Sequence, residues 1–251
     1  MQLNHEISGL DQAPALLMGG SLGTTLEMWK GQLPLAEQLR LIRFDHRGHG
    51  GSPGPPGPYE IADLGADVID LMDALGLRRA SFCGISIGGM VGMWLGANAP
   101  ERIERLILMC TAASLGPPSR WRERAATVLE AGSTEPIADT VVERWLTPAY
   151  ARQHHEVRQE LLGMLLGVRP DAYAACCGAI ERMDLRPALT TIGAPTLVIS
   201  GADDTAAPLE HQRQIAERIP YCRLEIVSPA AHLAAVERPE AVNQLILEHL
   251  S

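Results

Sequence analysis

The sequence predicts an α/β fold in which a mainly parallel, doubly wound sheet carries a helical insertion. Two patterns lead there. Short apolar runs alternate with amphipathic stretches along most of the 251 residues, as strand–helix–strand crossovers require. The alternation stops between about 117 and 185, where no convincing strand occurs and the chain reads as several helices. That divides the chain into a core, 1–116 and 186–251, and a helical cap, 117–185, inserted before one of the last strands.

Each element follows from local pattern. Apolar runs at 15–18 and 39–44 read as strands, the first ending in Gly19-Gly20-Ser21-Leu22-Gly23 and the second in Asp45-His46-Arg47-Gly48-His49-Gly50. Residues 59–75 place Ile61, Leu64, Val68, Leu71 and Leu75 on one helical face. A strand at 80–83 leads through Gly84-Ile85-Ser86-Ile87-Gly88 into a helix-like stretch at 89–98, and 103–109 is another buried strand. Gly116-Pro117-Pro118 breaks the chain, and helices are expected around 122–129, 137–145, 157–166 and 171–181. Strands at 196–200 and 223–227 alternate with helices at 209–219 and 239–250.

Composition narrows the class. With 46% hydrophobic and 20% charged residues the chain can bury a large core, which excludes a disordered protein. A net charge of −9 argues against nucleic acid or an anionic membrane as partner. The five cysteines form no Cys-x-x-Cys pair and several sit in apolar runs, so reduced, buried thiols in a cytoplasmic protein are expected. The first residues have neither a basic start nor an apolar core of the secretory kind, and no apolar run approaches a membrane span.

The stretch from Gly84 to Gly88 carries the chemistry. Between a strand and a helix, Gly-x-Ser-x-Gly makes a sharp turn that lifts the serine hydroxyl above the sheet edge. Ser86 is the candidate nucleophile, and the N–H of Ile87 points into the same space from a helix N-terminus. A general base and its orienting acid are expected beyond later strand ends, where open parallel sheets bind ligands. His232 follows the last strand, and Asp203-Asp204 follows the one before it. Asp204 is favoured over Asp203 because it opens the turn Asp204-Thr205-Ala206-Ala207-Pro208. The glycine-rich loop at 19–23 offers a second oxyanion donor, the N–H of Ser21 in preference to that of Leu22. His46 and His49 are read as parts of a structural turn, since no other cluster completes a metal site, and Pro53 stands where a dinucleotide-binding loop needs glycine.

These motifs identify a resemblance. Asp45-x-Arg47-Gly48-x-Gly50-x-Ser52, Gly84 to Gly88, Asp204 to Pro208, and Ala231-His232 with Glu237-Arg238-Pro239-Glu240 resemble the α/β-hydrolase superfamily over the whole length. Within it the chain looks most like the 3-oxoadipate enol-lactonases. That likeness rests on Ser21-Leu22-Gly23-Thr24 with Met28-Trp29, on 143–148, on Tyr173-Ala174-x-Cys176-Cys177-x-Ala179-Ile180, and on Asp184-Leu185-Arg186. The His-Gly usual before the oxyanion loop is replaced by Gly19-Gly20. The resemblance implies hydrolysis of a small anionic lactone through an acyl-enzyme on Ser86, in the β-ketoadipate route of aromatic degradation, without metal or cofactor. The substrate carboxylate then needs a local positive group in a net-negative protein, either a cap arginine, for which Arg144 and Arg182 are candidates, or backbone N–H groups near the oxyanion loop, with Trp145 as a pocket wall. Other serine hydrolases of this superfamily, and a receptor-like binding protein on the same fold, are the rival readings.

Overall fold

The computed structural model describes residues 1–251. The strands are β1 (His5–Ser8), β2 (Ala15–Gly19), β3 (Arg40–Phe44), β4 (Ala80–Ile85), β5 (Ile103–Met109), β6 (Thr196–Gly201) and β7 (Cys222–Val227). They form one sheet in the order β1-β3-β2-β4-β5-β6-β7. Every pairing is parallel except β1 with β3. All six residues of β4 and of β6 are buried, as expected where helices cover both faces, whereas the edge strand β7 is largely half-exposed.

Helices α1 (Ile61–Ala74) and α2 (Ile87–Asn98) flank β4. Five helices lie between β5 and β6: α3 (Pro118–Ala131), α4 (Glu135–Trp145), α5 (Pro148–Gln153), α6 (His155–Leu166) and α7 (Pro170–Arg182). α8 (Leu209–Arg218) precedes β7, and α9 (Ala234–Glu237) and α10 (Pro239–Leu250) end the chain. No helix is long and apolar enough to cross a membrane. All five cysteines are free thiols, four of them buried.

Several elements escape the sequence patterns, among them β1, the 3₁₀ helix after β2, and α5. β1 is four residues of mixed polarity on a sheet edge, too short for a period to register. Leu26–Glu37 is a 3₁₀ helix despite Gly31 and Pro34, and its Trp29 and Leu35 are buried against the core. α5 is capped by the Thr147 hydroxyl, which accepts from the Tyr150 N–H at 3.3 Å.

The helical segment is bound to the sheet's C-terminal edge by specific bonds. The Leu233 N–H donates to the Trp145 carbonyl at 2.8 Å. Glu237, 3% exposed, accepts from the Thr147 N–H at 3.1 Å, the Thr147 hydroxyl at 2.6 Å and the Ala231 N–H at 2.6 Å. One carboxylate therefore joins the end of α4 to the loop that carries His232.

Candidate active site

The turn from β4 into α2 forces Ser86 to φ 58°, a backbone conformation that L-residues adopt only under constraint. Neighbours hold it there. The Ser86 N–H donates to the Met109 carbonyl at 2.9 Å, and the Thr111 hydroxyl donates to the Ser86 carbonyl at 2.7 Å. Both flanking glycines are required by contact. A Cβ on Gly84 would fall 2.1 Å from the Gly88 carbonyl oxygen, and one on Gly88 would fall 2.2 Å from that of Gly19.

The acid and the imidazole meet beyond β6 and β7. His232 Nδ1 lies 2.9 Å from Asp204 Oδ2, and both side chains are almost wholly buried. The other oxygen, Oδ1, accepts from the N–H groups of Ala206 and Ala207 at 2.8 and 2.9 Å. A carboxylate so engaged takes the proton of Nδ1–H and leaves Nε2 free to act as a base. Asp203 is exposed on the far side of the turn, where its backbone N–H donates to the Ala230 carbonyl. Cys110, fully buried beside this pair, has its thiol pushed up by burial and then by the Asp204 charge, which keeps it protonated.

Ser86 and His232 open into one cavity with Ser21, Leu22, Leu115, Ala206 and several residues of the helical segment: Arg120, Trp121, Arg124, Val141, Arg144, Trp145 and Tyr173. Three of these are arginines that lack an acidic partner, whereas most other arginines are bonded to a carboxylate or a carbonyl. Arg124 lies 4.7 Å over the Trp121 ring. The Tyr173 hydroxyl is buried without a hydrogen-bond partner, and burial raises its pKa, so it stays a donor. The cavity thus holds Ser86 and His232, backed by Asp204, together with arginines that lack an acidic partner and an unbonded phenol.

A family model described as alpha/beta hydrolase fold matches residues 14–239. The chain belongs to the α/β-hydrolase fold family. Among curated relatives, this hydrolase is 40% identical over 97% of its length to 3-oxoadipate enol-lactonase 2 of Acinetobacter baylyi, covering 91% of that protein. Two solved structures superpose closely. A hydrolase from Pseudomonas aeruginosa matches with TM-score 0.96 and 43% identity, over 99% of this chain and 94% of that one. The enol-lactonase from Burkholderia xenovorans matches with TM-score 0.96 and 38% identity, over 99% and 96%.

The hydrolase brings Ser21, Ser86, Arg144, Trp145 and His232 to one cavity, with Asp204 directly behind His232. Arg182 is a correction. It is exposed outside the cavity, and its guanidinium donates to Glu60 at 2.7 Å and to the Tyr59 carbonyl at 2.6 Å. It fastens α7 to the entry of α1 and is not free for a ligand. Arg120, Arg124 and Tyr173 were not singled out by sequence reasoning. A signal existed for the arginines: like charges four apart on one helix face repel by a few tenths of a kcal/mol, a cost that function can explain. Tyr173 stood only within the Tyr173-to-Ile180 resemblance, and its approach to the cavity depends on how α7 packs on α3.

Proposed function

We propose that this hydrolase opens 3-oxoadipate enol-lactone with water to give 3-oxoadipate, in the β-ketoadipate pathway, with the helices at 117–185 acting as a cap. The observation that carries the reading is the juxtaposition of Ser86 and His232 with the unpaired Arg120, Arg124 and Arg144 in one cavity of a protein with net charge −9. An ester site alone needs no such cations. An ester ring that bears a free carboxylate does. The enol-lactonase relatives support the same substrate class.

In this mechanism Ser86 Oγ attacks the lactone carbonyl as His232 Nε2 takes its proton. The N–H groups of Ser21 and Ile87 stabilise the oxyanion, each worth roughly 3–4 kcal/mol of barrier. Collapse breaks the ring C–O bond and releases an enolate oxygen that stays tethered to the acyl chain. His232 returns the proton, and the enol tautomerises to the ketone. Water, activated by His232, then attacks the Ser86 ester, freeing 3-oxoadipate and restoring the serine. Asp204 keeps the imidazole in its working tautomer throughout. Arg124, stacked on Trp121 and next to the Tyr173 hydroxyl, holds the carboxylate arm, with Arg120 and Arg144 adding positive potential.

Arg124→Gln tests the substrate assignment. Losing a charge-assisted bond of about 1.5–3 kcal/mol should raise KM for the anionic lactone roughly 10- to 100-fold. Hydrolysis of neutral p-nitrophenyl acetate should change by less than about twofold. Equal losses on both substrates would make Arg124 a packing residue and remove the carboxylate from the reading.

A further inference from the structure

His46 and His49 are both buried, and the mechanism above uses neither. Each is bonded to the loop between β2 and the following 3₁₀ helix. His46 Nε2 lies 3.1 Å from the Gly20 carbonyl oxygen, and His49 Nε2 lies 3.1 Å from the Gly23 nitrogen. A carbonyl can only accept and an N–H can only donate, so these partners dictate opposite tautomers. His46 carries its proton on Nε2. His49 carries it on Nδ1, which donates to the Arg47 carbonyl at 3.1 Å. Burial pushes the His46 pKa down to about 3, so the ring is neutral at working pH.

We infer that His46 is a positioning residue that locks the Gly20–Ser21 peptide in the orientation needed for oxyanion binding, with His49 pinning the far end of the same loop. A trans peptide is planar, so its C=O and N–H point in opposite directions. The C=O of this peptide belongs to Gly20 and its N–H to Ser21. Two donors hold the carbonyl, His46 Nε2–H and the Gly88 N–H at 3.2 Å, and so aim the Ser21 N–H the other way. That N–H has no partner among the backbone bonds of the loop, and Ser21 lines the cavity.

The lock answers a weakness in this loop. Gly20, which has no Cβ, lowers the steric barrier to a flip on one side of the Gly20–Ser21 peptide. A flipped Gly20–Ser21 peptide would present a carbonyl oxygen, and not an N–H, to the developing negative charge. A Cβ on Gly19 would crowd Phe44 Cζ at 3.0 Å and Phe82 Cζ at 3.3 Å, with His46 Cε1 at 3.4 Å.

The inference rests on reading Ser86 as nucleophile and the Ser21 N–H as an oxyanion donor, and its tests separate the two readings. His46→Leu removes the donor, and His46→Gln keeps an N–H of similar reach. His46→Leu should lower kcat about 10- to 100-fold on both the enol-lactone and p-nitrophenyl acetate, with KM within about twofold. It should weaken phenylboronic acid, which forms a tetrahedral adduct on the serine, by a similar factor. His46→Gln should recover most of both. A folded His46→Leu variant with wild-type kcat, or a loss that His46→Gln does not repair, would overturn the proposal. Should His46→Leu fail to fold, ¹⁵N-histidine NMR of the wild-type protein decides independently of activity. His46 is expected as the Nε2–H tautomer and His49 as the Nδ1–H tautomer, and an Nδ1–H tautomer at His46 would break the clamp. Wild-type protein inert towards both substrates and the boronate would instead refute the reading of the site.

Discussion

Ser86→Ala is expected to lose on the order of 10⁴- to 10⁶-fold in kcat on every ester or lactone the wild type accepts. Cys110 cannot replace the hydroxyl, since it is buried with its thiol held protonated. The fold should survive, because Ser86 is held by its backbone N–H and C=O bonds, which alanine keeps. Alanine also keeps the strain of φ 58°. Ser86→Gly should be equally inactive yet more stable by about 1–3 kcal/mol, as glycine removes that strain. Thermal unfolding of the two variants beside initial-rate assays checks both halves. Substantial turnover by folded Ser86→Ala would remove the serine mechanism.

Asp204→Asn should cost about 10⁴-fold in kcat, while Asp203→Asn stays within about twofold. The reason lies in which oxygen is held. Two backbone N–H groups donate to Asp204 Oδ1, so an asparagine would keep its carbonyl there and turn its NH₂ towards His232. An NH₂ can only donate to Nδ1, which drives the imidazole proton to Nε2, where a base is needed. Asp203 is exposed and acts only through its backbone. Measured rates ranking the two substitutions the other way would move the acid by one residue.

What could be read from the sequence was local. The strand at Ile103–Met109 and the helix at Pro239–Leu250 appear with the bounds their periodicity implies, because runs of that length and polarity leave one choice. Ser86 was legible because the turn itself demands glycines at 84 and 88, and His232 and Asp204 because each follows a strand end. Convergence between distant segments left no such trace. Tyr173 and Arg124 share the cavity only through the packing of α7 on α3. Glu237 looked like part of a motif, yet its carboxylate reaches Thr147, 90 residues back, while it also accepts from the nearby Ala231 N–H. Arg182 looked like a cavity cation because residue type was visible and direction was not, and its partner Glu60 lies 122 residues away. His46 read as a turn residue because a side chain bonded to a backbone carbonyl 26 residues back has no pattern.

The most direct test of the central claim is the loss of ultraviolet absorbance by 3-oxoadipate enol-lactone, followed beside p-nitrophenyl acetate hydrolysis with the same wild-type protein. Ser86-dependent turnover of the lactone is predicted, with kcat/KM above that for the neutral ester by about 10-fold or more, the value of one engaged guanidinium. An untouched lactone beside brisk ester hydrolysis would contradict the account, leaving a serine hydrolase whose three arginines await a different acid.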